Sequence, residues 1–260
     1  MILQLDGRNL YCELHGEAGP WVILLHHGLG STRGWGRQIP ALVGAGFRVM
    51  AYDRWGYGRS SPRPGLPLDY LLEEPRDLHD LMNRLDIGRA HLIGHSDGGT
   101  ISLLFAAGHP ERVQRIVLIA AHIYSEPIGR AALEETLVRY QSDLEFRSSL
   151  SEVHGQKAGQ LVQDWLGRWL AAETAGLDVR ACLPEIRLPT LVVQGENDEF
   201  ATLQQAQDIA DGIQHSELWI VPACRHQPHL ERSAEFNQRM IEFLRRSSPG
   251  TICGRDPRRA

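Results

Sequence analysis

One short element limits the folds open to this chain more than any other: Gly94-His95-Ser96-Asp97-Gly98-Gly99, which closes the apolar run His91 to Gly94 and opens a helical pattern reaching about Ala107. A G-x-S-x-G element between a strand and a helix makes the backbone turn so sharply that its serine adopts strained dihedral angles, and the flanking positions have no room for side chains. Such a turn exposes the Ser96 hydroxyl at the carboxyl end of its strand, with the amides of the following helix directed at any negative charge formed there. A G-x-S-x-G taken alone is equally a glycine-rich turn with a solvated serine. The strand before it and the helix after it favour the functional reading.

Elsewhere short β-rich runs alternate with helical patterns, as in an α/β protein with a mainly parallel sheet. Leu3 to Leu5 and Leu10 to Leu14 flank an Asp6-Gly7 turn. Trp21 to Leu25, Arg48 to Tyr52, His91 to Gly94, Ile116 to Ala120, Leu191 to Gln194 and Leu218 to Val221 complete about eight strands, mostly apolar throughout, as strands covered on both faces must be. One helix is predicted with Pro75 in its first turn, where a missing N–H is tolerated, followed by Leu78, Leu81, Met82 and Leu85 at helical spacing. A second runs from about Gly99 to Ala107, and the last, near Ala234 to Arg245, puts Phe236, Met240, Phe243 and Leu244 on one side.

The alternation stops between Tyr124 and Glu185, where two helical patterns follow one another and no convincing strand occurs; in the second, Leu161, Val162, Trp165, Leu166, Trp169 and Leu170 form a broad apolar stripe. This stretch is too long for a loop and short for an independent domain. It reads as a helical cap, residues 124–185, inserted into a core made of residues 1–123 and 186–246, with residues 247–260, rich in Pro, Gly, Ser and Arg, as a frayed tail.

Composition excludes more than it identifies. With 27 basic against 32 acidic residues, for a net charge of −5, no basic stripe is evident and nucleic acid is not an expected partner. Lys157 is the only lysine, so 26 of the 27 basic residues are arginine, a bias that points to no function by itself. Cys12, Cys182, Cys224 and Cys253 lie far apart without C-x-x-C spacing, which disfavours a disulfide framework and a structural zinc and fits a reducing cytoplasm. No apolar run approaches the ~18 residues of a membrane span, and Met1 to Gly7 lacks the features of a signal peptide. The expected protein is cytoplasmic, with no membrane partner.

A serine nucleophile needs a base and a group that orients the base. Asp198 follows the strand Leu191 to Gln194, and His226 and His229 follow the strand Leu218 to Val221, all at the carboxyl edge that carries Ser96. Serine, acid, histidine is the chain order expected of such a site on an α/β sheet. With Leu25-His26-His27-Gly28-Leu29-Gly30-Ser31, Tyr52 to Ser60, Gly195 to Asp198 and Arg225 to Glu231, the chain resembles the α/β-hydrolase superfamily, in its serine-nucleophile esterase-like branch, over everything but the tail.

The resemblance implies an α/β-hydrolase fold, with a mostly parallel sheet of about eight strands, flanking helices and a helical cap. It makes Ser96 the nucleophile, His226 the general base and then acid, and Asp198 the carboxylate that orients His226, although Arg225 stands where the family usually has glycine. His229 is the rival base and Glu126 the rival acid, while Glu196 and Glu199 read as surface residues. The backbone N–H groups of Leu29 and Asp97 are the expected oxyanion hole. Asp97 occupies a position where many relatives carry a neutral residue. It either pairs with a substrate ammonium, as in valacyclovir-hydrolase-like aminoacyl esterases, or caps its helix. Asp97, His27, Trp165 and Trp169 are the candidate substrate-binding residues; Asp53, Arg54, Gly56, Gly58 and Ser60 read as structural, holding a loop through glycine turns and a buried charge pair.

The expected activity is hydrolysis of a small carboxylic ester, thioester or lactone through an acyl-Ser96 intermediate, with no cofactor and no metal and with a small-molecule substrate as the partner. Carbon–carbon bond hydrolysis of ring-cleavage products and cofactor-free perhydrolysis use the same serine and stay open, as does a non-catalytic ligand receptor on the same fold. Relatives with an aspartate nucleophile are disfavoured because Ser96 holds that position. Gly28-x-Gly30-x-x-x-Gly34 has the wrong spacing for a dinucleotide fingerprint, and Cys224, His226 and His229 lack a fourth metal ligand. Oligomeric state is not legible.

Overall fold

In a computed structural model, which describes residues 1–171 and 177–246, all the predicted strands join one sheet. The strands are β1 (Ile2–Leu5), β2 (Arg8–His15), β3 (Trp21–Leu25), β4 (Arg48–Tyr52), β5 (Ala90–His95), β6 (Val113–Ile119), β7 (Thr190–Gly195) and β8 (Ser216–Val221). Their spatial order is β1-β2-β4-β3-β5-β6-β7-β8, with β1 and β2 antiparallel to their neighbours and the rest parallel. The order places β5, the strand that ends at Ser96, centrally, between β3 and β6.

Period-two burial explains why the central strands are apolar throughout. Val22, Leu24, Val49, Ala51, Val117, Ile119, Leu191 and Val193 face one core, and Ile23, Leu25, Met50, Tyr52, Ile116, Leu118 and Val192 face the other. Helices α1 (Gln38–Gly44) and α9 (Ser233–Arg245) cover the first core with Leu42, Phe236, Met240 and Phe243; α2 (Tyr70–Arg84) and α3 (Asp97–Gly108) cover the second with Leu78, Leu81, Ile101 and Phe105. Each fully buried side chain of this kind contributes roughly 1.5–3 kcal/mol.

Between β6 and β7 the chain leaves the sheet and forms α4 (Pro127–Ser142), α5 (Leu144–His154) and α6 (Ala158–Leu170), and an isolated bridge, Tyr124 to Asp178, pairs the start and end of this excursion. Where the periodicity predicts two helices, a break at Asp143, whose carboxylate caps α5 through the Phe146 N–H, divides the chain into more pieces. Helices α7 (Leu203–Gly212) and the short α8 (Pro228–Glu231) complete the order. The predicted tail 247–260 lies outside the described residues.

One helix start differs from expectation. Pro75 lies inside α2, which begins at Tyr70, because burial of Tyr70 and Leu71 against the core outweighs the hydrogen bond lost at the proline. No helix among the described residues is long and apolar enough to cross a membrane.

The turn from β5 into α3 is packed to backbone contact. A β-carbon on Gly98 would lie 2.1 Å from the Leu25 carbonyl oxygen of β3, and neither chain has a flexible side chain that could yield. Gly98→Ala is therefore expected to destabilise the protein by at least ~2 kcal/mol and lower its melting temperature by about 5 °C or more; an unchanged melting curve would contradict the packing described.

Candidate active site

Ser96 sits where β5 gives way to α3, with φ 54° and ψ −120°, a conformation that costs a non-glycine residue about 1–3 kcal/mol. Neighbouring backbone holds it there: the Ser96 N–H donates to the Ile119 carbonyl at 2.8 Å, and the Ser96 carbonyl accepts the N–H groups of Gly99 and Thr100. The residue lines a cavity of about 630 Å³ between the carboxyl edge of the sheet and the helices α4 to α6.

His226 lines the same cavity from the loop after β8. Its Nδ1 lies 2.9 Å from both carboxylate oxygens of Asp198, which follows β7. The carboxylate is itself fixed, accepting from Gln194 Nε2 at 2.6 Å and from the Phe200 N–H at 2.8 Å. Burial pushes the Asp198 carboxyl up, but the facing His226 and the Phe200 amide outweigh it and hold the group below the usual carboxylate range. The Glu231 carboxylate accepts the N–H groups of Arg225 and Gln227 on either side of His226, and so shapes the turn without the glycine the family usually has. Among the described residues no hydrogen bond joins Ser96 to His226 directly; contacts of this kind commonly tighten only with substrate.

The rivals lie elsewhere. His229 is buried against Trp35 and His95 and is absent from the cavity wall, and its carbonyl accepts from Gln38. Glu126 reaches the cavity but spends its carboxylate on the Thr202 N–H and hydroxyl and on Gln205 Nε2. Glu196 accepts the Ala223 N–H, and Glu199 pairs with Arg225 at 3.1 Å.

Leu29, in the turn after β3, and Asp97 both border the cavity beside Ser96, and among the described residues neither amide has a hydrogen-bond acceptor. The Asp97 side chain does not cap α3, as one sequence reading had it. One of its oxygens, Oδ2, accepts from the Tyr70 hydroxyl at 2.8 Å, the Trp165 indole at 3.1 Å and the Arg54 guanidinium at 3.3 Å. The other, Oδ1, is buried without a partner among the described residues. The expected buried charge interaction of this region thus exists, but it joins Arg54 to two carboxylates, Asp97 at 3.3 Å and Glu74 at 3.8 Å; Asp53 instead accepts the backbone N–H groups of Thr32 and Arg59 at 2.7 Å each.

Trp165, Trp169 and His27 line the cavity, and the Trp169 indole donates to the Tyr70 hydroxyl at 2.9 Å. His122, which the sequence did not single out, also lines it, its ring 5.7 Å from that of His226 and 5.8 Å from that of Trp169. Only its place just past the end of β6 could have flagged it. Burial, followed by the neighbouring His226, lowers the pKa values of His27 to about 3 and His122 to about 4. His229 is lowered to about 3, and His26 and His95 are lowered too, in each case chiefly by burial. Among the described residues no group of His, Cys, Asp and Glu is arranged to hold a metal ion.

A family model described as the alpha/beta hydrolase fold matches residues 20–150. A 2-hydroxy-6-oxo-6-phenylhexa-2,4-dienoate hydrolase of Comamonas testosteroni is 31% identical, covering 88% of this chain and 88% of its own. The serine hydrolase BPHL of Homo sapiens is 29% identical over 92% of this chain and 84% of its own. Among solved structures, the enol-lactonase of Burkholderia xenovorans LB400 superposes with a TM-score of 0.74 at 25% identity, covering 94% of this chain and 99% of that one.

The buried histidines set a pH dependence. Their folded pKa values lie below the ~6.5 of an unfolded chain, so below that pH the unfolded state takes up protons that the folded state refuses, and stability falls as pH drops. Denaturant unfolding at pH 5 is expected to give a stability at least ~2 kcal/mol lower than at pH 7. Equal stability at the two pH values would show that these rings are not kept neutral by burial.

Proposed function

Because this chain belongs to the α/β-hydrolase family, we propose that it is a serine hydrolase cleaving a small carboxylic ester, thioester or lactone through an acyl-Ser96 intermediate. The observation that carries this reading is His226, held by Asp198 at 2.9 Å behind it, on the wall of the cavity that Ser96 enters from the strained end of β5. As Ser96 Oγ attacks the substrate carbonyl, its proton passes to His226 Nε2, and the Nδ1–H of the resulting imidazolium faces the Asp198 carboxylate. The oxyanion is held by the N–H groups of Leu29 and Asp97. Collapse of the adduct breaks the bond to the leaving group, which takes the proton from His226; water then repeats both steps on the acyl-enzyme, releasing the acid and free Ser96.

Leu133, Phe146, Leu150, Trp165, Trp169 and Phe200 give the cavity apolar walls, and its arginines are already matched: Arg130 with Glu134 at 3.2 Å, Arg139 with Asp143 at 3.2 Å and Arg225 with Glu199. These features favour an uncharged acyl group. The Asp97 carboxylate is buried and faces Arg54, Tyr70 and Trp165, which disfavours its use as an open negative charge for a substrate ammonium. In this reading residues 124–185 are the cap that shapes specificity over a core of residues 1–123 and 186–246. The free thiols Cys12, Cys182 and Cys224 support a reducing, cytoplasmic setting.

Ser96→Ala and His226→Ala are each expected to lower kcat/KM for p-nitrophenyl acetate by at least ~10³. A folded variant of either kind that keeps more than about a tenth of the wild-type rate would contradict the assignment.

A further inference from the structure

Two side chains from the helical segment between β6 and β7 reach past the cavity into the loops of the core. His154, the last residue of α5, is 2% exposed and bridges two loops: its Nδ1 accepts the Gly58 N–H at 2.9 Å, and its Nε2 donates to the Leu29 carbonyl at 3.1 Å. Since one nitrogen must accept while the other donates, only the neutral ring with its proton on Nε2 satisfies both partners. Lys157, the single lysine of the chain, donates to the Gly58 and Ser60 carbonyls at 2.5 and 2.7 Å. An ammonium is a compact donor to two carbonyls that converge on one point, whereas the fork of a guanidinium is not. Gly58 is therefore gripped at both its N–H and its carbonyl by the same helical segment.

The turn His27 to Gly30 is held from two sides. From the core, His26 Nδ1 and Arg54 Nη2 donate to the His27 carbonyl at 2.8 and 3.1 Å, and the Gly30 N–H closes the turn on the same oxygen at 3.0 Å. From the helical segment, His154 holds the Leu29 carbonyl, and the Trp165 indole lies so close over Gly28 that a β-carbon there would sit 2.2 Å from the ring. The N–H and carbonyl of Leu29 are separated only by its own two dihedral angles, so pinning the carbonyl limits the rotation that would turn the amide away from the cavity.

We propose that His154 is a positioning residue for the oxyanion hole: by fixing the Leu29 carbonyl it aims the Leu29 N–H at the charge formed on a Ser96 adduct. Lys157 supports it by clamping the Gly58 loop. The helices over the cavity thus build part of the catalytic geometry as well as the specificity wall. This inference rests on the acyl-serine reading above.

The test compares His154→Ala and His154→Gln in the full-length protein, with folding checked by circular dichroism. His154→Ala is expected to lower kcat for p-nitrophenyl acetate by about tenfold to a hundredfold with KM changed less than about twofold, since a misplaced oxyanion donor acts on the transition state alone. Affinity for a trifluoromethyl ketone, which forms an oxyanion on Ser96, should fall by a similar factor. His154→Gln, whose amide still donates to Leu29, should stay close to the wild type in both kcat and ketone affinity, a comparison that can be read even if the alanine variant does not fold. An unchanged kcat in a folded His154→Ala, a fall in kcat without a matching fall in ketone affinity, or a glutamine variant no better than a folded alanine variant would overturn the proposal. A wild-type protein that neither hydrolyses the ester nor binds the ketone would overturn the acyl-serine reading with it, which separates the two failures.

Discussion

A single buried carboxylate ties the parts of this molecule together. Asp97 follows Ser96 directly, and its Oδ2 collects Arg54 from the loop after β4, Tyr70 from α2 and Trp165 from α6. Arg54 is fully buried and Asp97 nearly so, and removing the arginine would strand the carboxylate, a loss that commonly costs about 3–5 kcal/mol. Arg54 also donates to the His27 carbonyl, so the same guanidinium braces the turn that carries Leu29. The serine turn, the proposed oxyanion turn and the helices over the cavity therefore take their relative positions from one charge pair and its neutral donors.

The electrostatics around this node keep the cavity close to neutral. His27, His95, His122 and His229 surround His226 or one another, and burial holds every one of these four rings below its usual pKa. A ring cluster that stayed cationic would oppose the imidazolium proposed to form on His226; a neutral one does not. The Asp198 carboxylate, held ionised, is then the charge that imidazolium meets.

What was legible in the sequence is what local sterics and periodicity dictate. The glycines around Ser96 announce a strand-to-helix turn because no other residue fits there, and the two-faced apolar strands announce a sheet covered on both sides. Chain order then brings Asp198 and His226 to the edge where Ser96 lies. The rest depends on pairings that no local pattern encodes. Tyr70 and Trp165 meet Asp97 across 27 and 68 residues, and His154 meets Gly58 and Leu29 across 96 and 125. The same distance hid the start of α2: Tyr70 is drawn into the helix by its hydroxyl contact with Asp97 and by burial, while Pro75 reads locally as a first-turn residue. His154 lies in a largely polar stretch outside every motif, and its contacts become visible only where two core loops converge on it.

Every catalytic role proposed for His226, Asp198 and the Leu29 turn requires that Ser96 be an activated nucleophile. Reaction of the full-length protein with a fluorophosphonate, followed by intact-mass and peptide analysis, measures this directly, because the reagent phosphonylates only a serine whose proton has an acceptor and whose adduct has an oxyanion site. One equivalent of label on the peptide containing Ser96, slowed strongly by His226→Ala, is the predicted result. An intact protein that takes no label, or takes it on another residue, would contradict the acyl-serine chemistry and point to a protein that binds its ligand without cleaving it through Ser96.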